Sequence, residues 1–402
     1  MKGTILVVNC GSSSLKIALF DEQLNKLASG LAERLGKKDA FATVKGRAEK
    51  IRLANAANHK EALDTLVAVL QDAGLLDEAP AAIGHRVVHG GETFREAALI
   101  NDDVLAAIKD CASLAPLHNP VNLAGIDATT ALFPGIPQVA VFDTAFHQTL
   151  PQKAYLYAVP LSLYKEWGVR RYGFHGTSHQ FMTREAARIL GKTPATTSII
   201  SAHLGNGCSI TAIRDGNSVD TSMGLTPLEG LVMGTRSGDV DPGLFDFLAN
   251  KGVAAQEVHR ILNNDSGLLG LSGQTNDMRS LCELADHGHE PSHIAIDVFC
   301  FRLARYIGAM MTSLDQLDAL VFTGGIGENS TLVRKKTLAQ LRLFGFTIDD
   351  ELNNQHGCIS DGQIEGADSR FRVLVIPTNE ELVIASEALE MAGKPRTNAG
   401  SL

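Results

Sequence analysis

One layout of chain occurs twice in this sequence. Thr4-Ile5-Leu6-Val7-Val8, a polar turn and Leu15-Lys16-Ile17-Ala18-Leu19-Phe20 share a plan with Ser198-Ile199-Ile200-Ser201-Ala202, a polar turn and Ser209-Ile210-Thr211-Ala212-Ile213. The separation is far too long for a solenoid, whose repeats recur every roughly 20 to 50 residues. The pattern therefore reads as a duplicated domain with a ligand between the copies. Length agrees: 402 residues, 45% of them hydrophobic, suffice for two cores, whereas one core stops growing near about 250 to 300 residues.

Five short glycine-rich segments punctuate the chain: Asn9-Cys10-Gly11-Ser12-Ser13-Ser14-Leu15-Lys16, Gly90-Gly91, His203-Leu204-Gly205-Asn206-Gly207, Gly234-Thr235-Arg236-Ser237-Gly238 and Gly324-Gly325-Ile326-Gly327-Glu328-Asn329. Three follow apolar runs that read as strands, Ile5 to Val8, Ile199 to Ala202 and Leu317 to Phe322. Glycine after a strand lets backbone N–H groups approach an anion closely, so all five segments are expected to face phosphate. Together they describe a nucleotide site in two halves.

Helical periodicity marks His59 to Ala73, Thr183 to Leu190, Val253 to Leu262, Pro291 to Leu314, Thr331 to Leu341 and Asn379 to Met391, with strands between them, an α/β pattern. A boundary near Thr149-Leu150-Pro151 gives domains 1–150 and 151–378. The polar end, 393–402, is expected to fray. The stretch Ile294 to Met311 is apolar but carries Asp297, Arg302 and Arg305, so it reads as a buried helix and not a membrane span.

The net charge of -9 and the absence of a long basic run argue against a nucleic-acid or membrane surface. Any phosphate site must then be a local concentration of positive charge. Six cysteines without CxxC spacing, and an N-terminus with too short an apolar run for a signal peptide, point to a reducing, cytoplasmic setting.

Several residues are candidates for chemistry, each with a plainer reading beside it. Asn9 to Lys16 supplies hydroxyl and ammonium donors for a triphosphate, with Asn9 suited to a magnesium-bound water, or is a hairpin turn of small residues. Arg86 lies in a β-branched run bounded by glycines and must meet an anion, either a ligand or a structural carboxylate. Arg236, in a Gly-flanked loop expected to be flexible, suits bidentate capture of carboxylate or phosphate. Two such arginines favour an anionic acceptor over a neutral one.

His118 and His175 sit beside proline or glycine on stiff or sharply turned backbone. The spacing of His175 and His179 mimics a zinc pair, but Gly176 is expected to break the helix and no glutamate follows His175, which argues against zinc. Asp143 follows an apolar strand where a ligand crevice opens, as a catalytic carboxylate or a cap. Glu380, opening the last helix, is equally explained as a carboxylate that complements the helix dipole.

Taken in order, these segments resemble the acetate kinase family, within the acetate and sugar kinase, Hsp70 and actin superfamily. The specific motifs are Asn9 to Lys16, Arg170 to His179, Thr221 to Asp241 and Phe322 to Asn329, and Asp220 to Gly230 is hard to assign elsewhere. The resemblance implies a duplicated ribonuclease-H-like α/β fold with ATP and magnesium (or manganese) in an interdomain cleft, and a final helix, 379–392, joined to the first domain. It implies a homodimer that makes acetyl phosphate and ADP from acetate and ATP.

Carried over by motif, Asn9 and Glu380 match metal-associated positions. Lys16, Ser12, Ser14 and His203 to Gly207 match phosphate contacts. Asp277, Met278, Arg279 and Gly325, Ile326, Gly327, Glu328 and Asn329 match the adenosine site. Arg86, His118, Asp143, His175, Asn206 and Arg236 match the catalytic centre, with Arg86 orienting the acceptor, and Val88, Leu117, Phe174 and Pro227 match the acyl-methyl pocket. A carboxylate acceptor is already ionised at neutral pH, so Asp143 is read as an orienter of magnesium or arginine and not as a base. Propionate kinase is the close alternative, followed by a sugar kinase or a non-enzymatic actin-like switch.

Overall fold

The computed structural model describes residues 3–47, 49–116 and 118–393. The expected frayed end lies outside them, except for Gly393, which ends the last helix. The chain divides into two compact units, one running to Phe146 and resuming at Asn379, the other His147–Thr378.

In the first unit, strands β1 Ile5–Gly11, β2 Ser14–Phe20, β3 Lys26–Glu33, β4 Phe41–Val44, β5 Ile51–Arg52, β6 Ala82–Val87, β7 Ala98–Leu99 and β8 Gln138–Phe142 form one sheet. Its order is β5-β4-β3-β2-β1-β6-β8-β7. The β1–β2 hairpin pairs antiparallel from Ile5↔Phe20 to Gly11↔Ser14, and β6 and β8 then add in parallel to β1. The second unit holds β9 Ile199–Leu204, β10 Cys208–Arg214, β11 Asn217–Thr221, β12 Ala319–Thr323 and β13 Arg372–Val375, in the order β11-β10-β9-β12-β13. There too a hairpin, β9–β10, is followed by two parallel strands beside β9.

Three antiparallel strands and then two parallel ones, in the order 3-2-1-4-5, is therefore the plan of both sheets. This is a duplicated ribonuclease-H-like α/β fold. The repeated Thr4 to Phe20 and Ser198 to Ile213 segments are the two opening hairpins. Parallel strands that are covered on both faces become continuous apolar runs, and every residue of β8, β9 and β12 is buried.

Each unit covers its sheet with helices. His59–Asp72 is set by a capping box between Asn58 and Glu61 and packs Leu63, Leu66, Val67 and Leu70 onto one face of the first sheet. The final helix, Glu380–Gly393, packs Ile384, Ala385 and Ala388 on the other face, against Ile5, Val7 and Val139. It comes so close to β6 that a Cβ on Gly84 would lie 2.7 Å from Ile384 Cγ2, which only glycine allows. In the second unit, Gly176–Ile189 and Glu290–Met311 lie against β9 and β10.

Two local expectations change. Glu290–Met311 is not buried all round, because Ile294 and Phe301 are about half exposed and only one face meets the core. Gly176 does not break its helix but opens it, with His175 at the N-cap in the left-handed conformation. Among the described residues no helix is long and apolar enough to cross a membrane.

Each unit also buries a histidine that must stay neutral. His85 bonds Gln138 in the first unit, and His147 bonds Ser218 and the carbonyl of Phe174 in the second. Burial pushes both down to about 4 from 6.5. A depressed folded-state pKa means stability that is complete above pH 6.5 and lost as pH falls through 4. Urea unfolding midpoints are expected to hold steady above about pH 6.5 and to fall steeply between there and about pH 4, less steeply in His85→Asn. A midpoint unchanged over that window shows that these rings are not held neutral.

Candidate functional site

The first unit gathers its candidates at the ends of β1, β6 and β8. Arg86, one residue from the end of β6, forks onto Asp143, which follows β8: Nε lies 3.0 and 3.2 Å from the two carboxylate oxygens and Nη2 2.7 Å from Oδ2. Parallel register places them together, since Arg86 pairs with Val141 and Val87 with Phe142. Asp143 is almost fully buried. Burial lifts its carboxyl above the usual range, Arg86 opposes this, and Glu380 adds to it. The Glu380 Oε1 atom is itself buried and has no hydrogen-bond partner among the described residues. One guanidinium thus faces two carboxylates, one of them with an orphaned lone pair.

Asn9 pairs with Lys16 across the β1–β2 hairpin, and Ser12 is exposed at its turn. Lys16, expected to reach phosphate, is engaged by Glu381, its Nζ 2.5 Å from Oε1. Val88 is buried, its N–H donating to Asn122. His118 occupies the N-cap position of the Asn119–Leu132 helix without a capping bond from its side chain. Leu117 lies outside the described residues. Gly90 and Gly91 do not form a phosphate cradle. The Gly90 amide donates to Thr144, the Gly91 amide donates to His89, and a Cβ on Gly90 would strike the Phe142 ring at 2.7 Å. These glycines let the loop pack on an aromatic side chain.

The second unit concentrates its candidates after β9. His175 adopts φ 57°, a conformation that bulky residues seldom take, and its Nδ1 lies 2.9 Å from Ser209 Oγ. Its ring is 4.3 Å from that of His203, whose Nδ1 bonds Ser178. A Cβ built on Gly207 would lie 3.5 Å from both His175 Nε2 and Arg236 Nη1. Imidazole and guanidinium therefore converge over bare backbone.

Arg236 is half buried, and among the described residues no carboxylate pairs with it; its Nη1 donates to the carbonyl of Pro227 and lies against the sulfur of Met233. Burial, opposed only in part by the Cys208 thiol and by no carboxylate, holds its pKa below the usual guanidinium value. The expected flexible loop is instead locked. Met233 N–H donates to Arg236 O, and Cβ atoms on Gly238 and Gly267 would sit 2.4 Å from Leu231 O and 2.1 Å from Met233 O. A second strap comes from Arg171, which donates to the carbonyls of Thr221 and Ser222 and to Glu229, while Tyr157 donates to Glu229 and accepts from Leu225 N–H.

Beside this, a cavity of about 900 Å³ is lined by Gly205, Asn206, Asp277, Met278, Arg279, Gly325, Ile326 and Asn329. Asn206 is oriented by Asn276, whose amide donates to its Oδ1. Gly327 and Glu328 are absent from the wall: Glu328 accepts from the amides of Gly324 and Thr378, fastening its segment to the fold. Sequence reasoning missed Cys282, Glu283 and Asp286 on the wall. They share one face of Met278–Asp286 with Met278 and Arg279, so i, i+4, i+8 spacing was the available signal. It also missed Arg334, fully buried and bonded to the carbonyls of Gly327 and Glu328 and to Asn353. In Val333-Arg334-Lys335-Lys336 it looks like one of a solvated basic run.

Two ribonuclease-H-like sheets, each with candidate residues at its strand ends, place the chain in the superfamily of acetate and sugar kinases, Hsp70 and actin. Within it, the chain belongs to the acetokinase family, whose profile matches residues 4–386. It is 52% identical to the acetate kinase of Chromobacterium violaceum, over 98% of this chain and 99% of that one. It is 51% identical to the acetate kinase of Shewanella frigidimarina, over 96% and 98%. Among solved structures, a propionate kinase from Francisella tularensis superimposes with a TM-score of 0.91 at 46% identity, covering 97% of this chain and 100% of that one. The Porphyromonas gingivalis acetate kinase gives 0.89 at 40%, covering 97% and 99%.

The locked Arg236 loop has a direct test. Gly267 has φ +62°, and an added Cβ would meet Met233 O at 2.1 Å and Arg236 O at 2.7 Å. Gly267→Ala is expected to destabilise by more than about 2 kcal/mol, and Gly325→Ala, which meets nothing within 4 Å, by less than about 0.5 kcal/mol. Equal urea midpoints for the two variants would show that the loop yields.

Proposed function

We propose that the protein transfers the γ-phosphoryl group of ATP to acetate, reversibly, giving acetyl phosphate and ADP. The observation that carries this reading is Arg236, a half-buried guanidinium with no carboxylate partner among the described residues, meeting His175 over Gly207. Such a cation is held for an anion that the protein does not itself supply.

An acetate oxygen attacks the γ-phosphorus in line, the bond to the β-phosphate oxygen breaks, and ADP leaves. Charge grows on the equatorial oxygens, where Arg236, His175 and Asn206 act as fixed donors. The cavity along Met278–Asp286 takes the adenosine, with Asp277 fixed as the helix cap by Ser280 and Met278 buried in its wall. Arg86 orients the acceptor carboxylate, and Asp143 holds Arg86. Because acetate brings no proton, and because both Asp143 oxygens already accept from Arg86, Asp143 is an orienter and not a base.

The donor set fits a magnesium ion: Glu380 has an orphaned buried oxygen and Asn9 a neutral amide, and magnesium keeps most of its ligands as water and phosphate. When bound, the ion would neutralise charge on the phosphates. Val88, Phe174 and Pro227 are assigned to the acyl methyl group. The cytoplasmic setting follows from the cysteine pattern, and the homodimer from the family resemblance.

Trapping of acyl phosphate as hydroxamate, with ATP, magnesium and a series of carboxylates, is expected to show acetate as the best acceptor, propionate weaker and butyrate poor. The Francisella relative makes propionate the informative comparison. A butyrate rate equal to that of acetate removes the methyl-pocket assignment, and ADP release with glucose but not acetate removes the whole reading.

The two arginines are expected to separate in steady-state kinetics. Arg236→Ala should lower kcat by about 10² to 10³-fold with little change in the acetate KM. Arg86→Ala should raise that KM markedly as well as slow turnover, and should also lower the melting temperature, since it strands the buried Asp143. An Arg236→Ala enzyme with normal kcat and weakened acetate binding contradicts the role given to it.

A further inference from the structure

The second unit contains an unbroken buried chain of four side chains that ends on His175. Ser201 Oγ lies 2.9 Å from His179 Nδ1, His179 Nε2 2.8 Å from Ser209 Oγ, and Ser209 Oγ 2.9 Å from His175 Nδ1. Ser201, His179 and Ser209 are completely buried. Nothing in the phosphoryl-transfer scheme uses these three.

The chain has only two self-consistent proton arrangements, because each hydroxyl has one proton and a neutral imidazole has one N–H. His179 is neutral: burial, with His147 and His203 nearby, holds its pKa well below 6.5. In the first arrangement Ser201 donates to His179 Nδ1, His179 Nε2–H donates to Ser209, and Ser209 donates to His175 Nδ1. Every proton then has an acceptor. In the second all three directions reverse, and the Ser201 proton needs an acceptor of its own. Among the described residues Ser201 Oγ has no partner other than His179, so the second arrangement strands a buried donor.

We infer that Ser201, His179 and Ser209 are positioning residues that hold His175 as the tautomer protonated on Nε2. The ring then presents an N–H beside Arg236 Nη1 at the backbone of Gly207, and both groups are donors. Charged or titratable neighbours of the ring include His203, its ring 4.3 Å away, and Arg236. The hydroxyl supplied to Nδ1 does for His175 what a carbonyl or carboxylate does for other catalytic imidazoles, with the opposite hydrogen-bond polarity. The left-handed backbone at His175 aims Nδ1 at Ser209. This inference rests on the proposed phosphoryl transfer for its kinetic consequence but not for its spectroscopic test.

The test is two-bond 1H–15N correlation spectroscopy of the full-length, ligand-free protein labelled at histidine, near pH 8, with His175 and His179 assigned from His175→Gln and His179→Gln. His175 and His179 are both expected to show a protonated Nε2 and an unprotonated Nδ1. Protonation of either ring on Nδ1 overturns the inference, and Ser209→Ala gives an independent arm if an assignment variant does not fold. In Ser209→Ala a second His175 tautomer should appear, and kcat should fall by about 10- to 100-fold with the ATP and acetate KM within about twofold of wild type. Ser209→Thr, which keeps the hydroxyl, should restore both. Wild-type kcat in Ser209→Ala also overturns it. A wild-type protein that forms no acyl phosphate refutes the proposed function and leaves the tautomer assignment standing.

Discussion

Holding a guanidinium half out of water without a carboxylate is unfavourable, and the second unit is arranged around the need to do so at Arg236. Neutral acceptors, the Pro227 carbonyl and the Met233 sulfur, touch the group but do not cancel its charge. The loop must then resist collapse toward a counter-ion. Gly238 and Gly267 pack against carbonyls of Gly230, Leu231, Met233 and Arg236 at distances no side chain permits, and Arg171, Glu229 and Tyr157 strap the preceding segment. For the proposed phosphoryl transfer this rigidity is preorganisation: donors already aimed need not reorganise when charge develops.

The contrast with Arg86 is instructive. That residue is more fully neutralised, forked onto a buried aspartate with a second carboxylate nearby. A group whose charge is largely spent inside the protein suits the fixing of geometry, whereas one whose charge is unspent suits the binding of developing charge. Arg334 is a third case, fully buried, without a carboxylate partner among the described residues, its pKa pushed down to about 10, and its donors spent on carbonyl and side-chain acceptors at the end of the Gly324–Asn329 helix. Three wholly or partly buried arginines thus differ in the partners that meet their charge.

His175 adds a further constraint. Its left-handed backbone is stable only because the flanking chain over-determines it, with Gly173 packed on His147 and Gly176 beginning a helix. The same turn brings Ser178 to His203 and His179 to Ser201 and Ser209, so one short segment sets the hydrogen-bonding of three imidazoles.

Much of this was legible in the chain itself. The two hairpins, the glycine-rich strand ends and the motif from Asp220 to Gly230 depend on local backbone chemistry and spacing, which sequence states directly. Arg86 could be seen to need an anion but not which one, because the choice between Asp143 and a ligand lies in the parallel register of β6 and β8. Gly90 and Gly91 carried the same signature as true strand-end glycines, yet they serve packing on Phe142. A glycine reports that something comes close, and only tertiary structure says whether that is a ligand or a ring. The rigidity of the Arg236 loop, the burial of Arg334 and the chain from Ser201 to His175 were likewise invisible. Each depends on how the folded chain packs and not on residue spacing, and hydrogen-bond direction in a buried chain is settled by which end has a spare acceptor.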